Sequence, residues 1–213
     1  MEKVVGTVVR GLRAPIFKAG DNLVRMIPDL LDRFFEAENI EIGKKDVVAI
    51  TESVVARTQG NYVTIDQVAK DLNPDFAGKE LGVILPILSR NRFAIVLRAI
   101  ASADVDKVIL QLSLPSDEVG NHLITLDQLD NANINPWKET ISEAEYRKLF
   151  GYQKHEFTGI DYVAYYKELV EECGKECEII FSNNPTAILT HTKYVINCDI
   201  HTRKRTKNLL LKS

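Results

Sequence analysis

Apolar positions along the chain change period several times. Between Asp21 and about Glu38, the residues Leu23, Met26, Ile27, Leu30, Leu31, Phe34 and Phe35 recur three and four apart, which predicts a helix with one apolar face. Asp21 is placed to cap it and Pro28 to kink it. Short β-branched or apolar runs predict strands at Val4–Val9, Val47–Ile50, Val83–Leu88, Lys107–Leu114, Glu178–Phe181 and Val195–Ile200, with Pro86 weakening the third or marking an edge. Thr51–Thr58 fits neither period. Further helices are predicted over Ile65–Leu72, capped by Thr64 and ending before Asn73-Pro74, and over Arg92–Ala103. A capping-box spacing at Ser142–Glu145 starts a helix through Phe150 that Gly151 stops; Asp161 caps another through about Cys173, with Gly174 as its stop. Thr186–Lys193 reads as a helix and His201–Ser213 as helical or frayed. Strands and helices alternating in this way indicate an α+β, or mixed α/β, fold.

The chain has 213 residues, enough for one large or two small domains, and we read it as one. With 45% hydrophobic and 27% charged residues it is neither disordered nor low in complexity. The apolar runs are too short to span a bilayer, and the N-terminus shows no secretory apolar region. Three cysteines, Cys173, Cys177 and Cys198, are too few for a disulfide framework, which fits a reducing cytoplasm. A net charge of −3 provides no overall field for nucleic acid or membrane. The segment His201–Ser213 has five Lys or Arg and no acid, which suits either phosphate contact or a solvated helix face. No phosphate-loop, dinucleotide or nucleophile-elbow motif occurs.

Chemistry gathers where strands end. In open α/β sheets, ligands collect beyond the carboxyl ends of the strands, where helix N-termini also point. Ser89-Arg90-Asn91-Arg92 precedes a helix and offers Ser89, Arg90 and Arg92 to a phosphate, or forms an ordinary solvated helix start. Asp117, Glu118 and Asn121 are oxygen donors suited to Mg²⁺ or Mn²⁺, or members of an exposed turn with an Asx cap. Asp199 and His201 sit two apart, so in a strand they would share a face, and they read as acid–base or metal groups, or as structural hydrogen-bond partners.

Three stretches carry a family resemblance: Gly11-Leu12-Arg13-Ala14-Pro15-Ile16, Lys18-Ala19-Gly20-Asp21-Asn22-Leu23, and Asp46 through Gly60 with its Thr51-Glu52-Ser53-Val54-Val55-Ala56-Arg57. Together they resemble the coenzyme F420-0:γ-glutamyl ligase family, with its Gly-Leu-Pro-like opening, its Gly-Asp-Asp/Asn-Leu helix start and its strand leading into a Ser/Thr-rich element. Leu88–Phe93, Pro115–His122 and Asn197–Arg203 resemble a bacterial branch whose members are longer than this chain, which implies an N-terminal portion or a short form.

The resemblance implies a ligase-like fold, a homodimer, and GTP with Mg²⁺ or Mn²⁺ used to join L-glutamate to a carboxylate acceptor such as coenzyme F420-0 or a folate. It implies nucleotide contacts at Leu12, Arg13, Ala14, Pro15, Glu52, Ser53 and Arg57. Arg57 stands where the family has Lys, which keeps the cation and changes its geometry. Glu52 stands where a hydroxyl is usual and would repel phosphate. Gly159-Ile160-Asp161 echoes a family metal motif, but Ala164 replaces its Asn, and no Asp-Thr dipeptide supplies the later metal pair. Asp161 is thus a metal candidate or a helix cap. No residue is assigned to the chemical step. The alternative is a non-catalytic nucleotide- or small-molecule-binding domain on the same fold.

Overall fold

The computed structural model describes residues 6–213. They form two compact units, one ending at Val63 and the other running from Thr64 to Ser213. In the first unit, helix α1 spans Leu23–Glu38 and runs through Pro28. Its cap is Asn22, whose side chain accepts the Arg25 N–H, while Asp21 accepts the Lys18 N–H at 2.6 Å. The sequence therefore placed the cap one residue early. Helix α2, Glu52–Thr58, settles the ambiguous stretch, and its buried Thr58 donates to the carbonyls of Val54 and Val55. Val47–Ile50 is exposed and forms no strand. β-branched residues favour extended backbone, but a strand also needs a partner for its N–H and C=O groups. The first expected strand lies partly outside the described residues, at Val4 and Val5, and residues 6–9 form no strand.

The second unit is built on a five-stranded sheet, which bears out the mixed α/β expectation. Its strands are β1 (Glu80–Ile84), β2 (Lys107–Leu112), β3 (Ile141–Ser142), β4 (Glu176–Phe181) and β5 (Val195–Asn197), in the order β3-β4-β2-β1-β5. All neighbours are parallel except β3, which pairs antiparallel with β4. Helices α3 (Ile65–Phe76), α4 (Phe93–Ala101), α6 (Glu143–Phe150) and α7 (Tyr162–Glu172) contribute Ala69, Leu97, Tyr146 and Leu169 to the larger core. A smaller core joins Ile84, Ile109 and Ile180 of the sheet to Ile188 of a 3₁₀ helix, Pro185–Thr190, with Leu210 of α8 (Arg203–Leu210) against it.

Several boundaries move for physical reasons. β1 ends before Pro86 because Leu85 takes a left-handed φ of 51°. α3 continues past Asn73-Pro74 because Leu72 and Phe76 pack on the core and the Asn73 side chain accepts the Asp104 N–H. The expected helix at Thr186–Lys193 is the 3₁₀ helix, capped by Asn184. Helix α5, Leu126–Ala132, was not among the expected helices, although its capping box at Thr125 and Gln128 is present in the sequence. The helices starting after Ser142 and Asp161 begin where expected.

Candidate functional site

Strands β1, β2 and β4 step outward on one side, and β5 then returns to the other side of β1. The order thus reverses between β1 and β5, the place where open α/β sheets form a ligand crevice at their carboxyl edge. The loops leaving that edge carry most of the residues singled out in this unit.

After β1, the loop to α4 presents Ser89, Asn91, Arg90 and Arg92. Arg90 and Arg92 are exposed and form no ion pair among the described residues. Ser89 Oγ donates to Asn91 Oδ1 at 2.9 Å. No side chain caps the first turn of α4; the Ser89 and Arg92 carbonyls accept the N–H groups of Ala94 and Ile95 instead. The loop is held from beneath: the Tyr166 hydroxyl accepts the Ser89 N–H and donates to the Ile87 carbonyl.

After β2, residues 116–122 fold into a tight finger, closed at its base by a bridge between Ser116 and His122. Asp117 organises it. Oδ1 accepts the N–H groups of Val119 and Asn121, and Oδ2 accepts the Asn121 amide and the Leu88 N–H, all between 2.7 and 3.0 Å. Glu118 reaches the loop after β5, where its carboxylate accepts the N–H groups of Ile200 and His201 and lies 3.2 Å from His201 Nδ1. Asp199, 3% exposed, accepts from the Thr202 and Thr206 hydroxyls at 2.5 Å each and from the Thr202 N–H at 2.8 Å. Burial opposes its ionisation, but those hydroxyl and N–H donors outweigh it and hold its carboxyl below the usual carboxylate range.

After β4, Asn183 exchanges two hydrogen bonds with the Leu114 backbone, and Ser182 donates to the carbonyls of Pro136 and Glu139. Gln111, fully buried in β2, donates to the carbonyls of Ser182 and Asn184 and leaves its Oε1 without a partner. Asp161 lies elsewhere: it caps α7 through the Ala164 N–H and takes a two-point contact from Arg147.

In the first unit, Leu12 lines two hollows. One, of about 500 Å³, gathers Arg10, Arg13 and Arg33 with Leu30, Phe34 and Glu38. The other, of about 410 Å³, is largely apolar and is lined by Ala14 as well as Ile50, Thr51 and Val54. Glu52, Ser53 and Arg57 are exposed on α2 beyond that wall, and Pro15 is exposed on the opening loop. Arg10 and Arg33 were not singled out in the sequence; only the folding of the opening loop against α1 brings them beside Arg13.

The residues expected to hold a divalent cation do not converge. The carboxylates of Asp117, Glu118 and Asp161 already face N–H donors, and Asn121 serves Asp117. Among the described residues, no three His, Cys, Asp or Glu side chains are grouped to hold a metal ion, and no helix is long and apolar enough to cross a membrane.

A family model described as F420-0:Gamma-glutamyl ligase matches residues 11–196. No curated protein and no solved structure matches the chain.

Proposed function

Because the chain belongs to the F420-0:γ-glutamyl ligase family, we propose that it joins L-glutamate to a carboxylate acceptor at the expense of GTP. The observation that carries the nucleotide part is the hollow in which Arg10, Arg13 and Arg33 surround Leu12: guanidiniums suit phosphate oxygens, and Leu30 and Phe34 supply apolar surface beside them. In the second unit, Arg90 and Arg92 are exposed and form no ion pair among the described residues, which makes them separate candidates for phosphate contact.

The chemistry transfers the γ-phosphoryl group of GTP to an acceptor carboxylate oxygen and releases GDP. The uncharged glutamate amine then attacks the acyl carbon, the bond to phosphate breaks, inorganic phosphate leaves and the new amide nitrogen loses a proton. Coenzyme F420-0 and a folate are the acceptors to test. A Mg²⁺ or Mn²⁺ ion would offset charge on the triphosphate, but Asp117, Glu118, Asn121 and Asp161 are a poor fit as its sole ligands. We place the protein in the cytoplasm as a homodimer, in which a second copy would cover some of the exposed Val24, Val47 and Val48.

Calorimetric titration with GTP and ATP, with and without Mg²⁺ or Mn²⁺, tests this reading. We expect metal-dependent binding of one nucleotide, weakened at least tenfold in R13A, since each guanidinium–phosphate contact is charge-assisted. A folded chain that binds neither nucleotide overturns it. The exposed Glu52 favours a second reading, in which the fold binds a small molecule without turnover; nucleotide binding with no release of inorganic phosphate in the presence of glutamate and acceptor would select it.

A further inference from the structure

We propose that Glu38 selects guanine in the arginine-lined hollow of the first unit, by accepting the N1–H and 2-amino groups of the base. Glu38 thereby makes GTP the preferred triphosphate, a role that rests on the nucleotide reading above. The hollow, of about 500 Å³, has the size of a small-ligand site and brings Glu38 together with three guanidiniums, those of Arg10, Arg13 and Arg33. Charges of opposite sign lining one hollow can satisfy each other, yet Glu38 forms no ion pair among the described residues. Nor does the helix need a carboxylate there. Glu38 is the last residue of α1, and no basic residue stands in that last turn. The C-terminal carbonyls already carry partial negative charge, so Glu38 works against the helix dipole.

The hollow therefore joins an acceptor-rich end to a donor-rich remainder. Leu30 and Glu38 lie about 12 Å apart along the helix axis, so the hollow follows α1 for about two turns, and Arg33 stands about 7.5 Å before Glu38. A nucleoside triphosphate has matching ends. Its phosphates are drawn to the guanidiniums and repelled by Glu38, which leaves the base at the Glu38 end. Phe34, half-buried four residues before Glu38 and on the same helix face, gives that base an apolar surface. Guanine presents two neighbouring donors, at N1 and at the 2-amino group, which fit the two oxygens of a carboxylate. Adenine presents one donor, at N6, beside an N1 acceptor that would face a carboxylate oxygen with no proton between them. The same side chain thus attracts one base and repels the other.

Competition titrations with GTP, ATP and ITP, each with Mg²⁺, on wild type, E38A and E38Q test this role. ITP keeps the N1–H and lacks the 2-amino group. Removing the charge of Glu38 strengthens the hold on every triphosphate alike, so the ratio of affinities is read rather than any single Kd. Wild type is expected to bind GTP at least about tenfold tighter than ATP and about threefold tighter than ITP. In E38A all three are expected to fall within about twofold of one another. In E38Q the carboxamide offers one donor and one acceptor, which match adenine N1 and N6, and the ratio is expected to shift further toward ATP. Glu38 is exposed, so both variants are expected to melt with wild type. A GTP preference that survives in E38A overturns the role of Glu38 and leaves the nucleotide reading standing. So does a wild type that binds GTP and ATP equally. A folded wild type that binds no triphosphate overturns both.

Discussion

The Tyr166 hydroxyl accepts the Ser89 N–H at 2.7 Å, so a residue in the middle of α7 fixes the loop that follows β1. The same hydroxyl donates to the Ile87 carbonyl at 3.0 Å, and the ring, fully buried, meets Phe93 edge-on at 5.3 Å. Burial raises its pKa well above the ordinary tyrosine value, so it remains a neutral donor. Replacing it with Phe keeps the ring and strands the buried Ile87 carbonyl and the half-buried Ser89 N–H. Y166F is expected to lose about 1–3 kcal/mol of stability in a denaturant titration. It is also expected to accelerate amide exchange at Ser89 more than at the centre of α4.

The elements legible in the sequence were those whose signal is local. Ser142 with Glu145, Asp161, Thr64 and Gly151 each declare a helix end by their own chemistry, and the structure uses them so. The strands of the parallel core were visible as apolar runs, because buried parallel strands are apolar on both faces. Val47–Ile50 carried the same signal and formed no strand, since pairing is not written in the strand itself. At the carboxyl edge the sequence located the polar loops correctly and left their partners unknown. That Glu118 would bond to residues near 200, or Asn183 to Leu114, is a matter of strand order, which no spacing along the chain reveals. The arginine hollow was half visible: Arg13 lay in a recognisable motif, whereas Arg33 joins it only through the packing of α1.

Gly82 in β1 is a packing requirement. A Cβ there would sit 2.6 Å from Ile188 Cγ1, and Ile188, a residue of the 3₁₀ helix, is itself fully buried. Neither the strand nor the 3₁₀ helix can yield without breaking the smaller core. G82A is expected to destabilise the second unit by about 1–3 kcal/mol. Pairing it with I188V, which removes one methyl group from the contact, is expected to recover part of that loss in thermal unfolding.

The thiols set an alkaline limit. Burial pushes Cys177 and Cys198 up to about 12 from an ordinary 9.0. A raised folded pKa means that the native state keeps protons the unfolded chain has released. The stabilisation is complete below about 9 and is lost as pH rises toward 12. The melting temperature is expected to fall over that window, and less steeply in C177A than in wild type. At neutral pH, Cys177, which is 7% exposed, is expected to resist a thiol reagent until the protein is unfolded.

Asp161 separates a structural role from a metal-binding one. Its Oδ2 lies 2.6 Å from Arg147 Nη1 and its Oδ1 3.2 Å from Nη2, while Oδ1 also accepts the Ala164 N–H at 3.0 Å. Both side chains are largely buried, at 11% and 14% exposure, and Arg147 also lies over the Tyr152 ring at 4.4 Å. Burial alone would lower the Arg147 pKa, but the bonds and charge of Asp161 outweigh it and raise it. Removing the carboxylate therefore leaves a partly buried guanidinium with only Glu143, 3.8 Å from its Nε, as an acidic partner, and leaves α7 uncapped. D161A is expected to cost about 3–5 kcal/mol, more than an exposed ion pair would. R147M in the D161A background is expected to return part of that loss, because the partly buried charge that has lost its two-point partner is then gone. A structural pair shows this pattern in buffer stripped of divalent cations. If Asp161 instead acts mainly as a metal ligand, D161A would melt like wild type in that buffer and differ from it only when Mg²⁺ or Mn²⁺ is added.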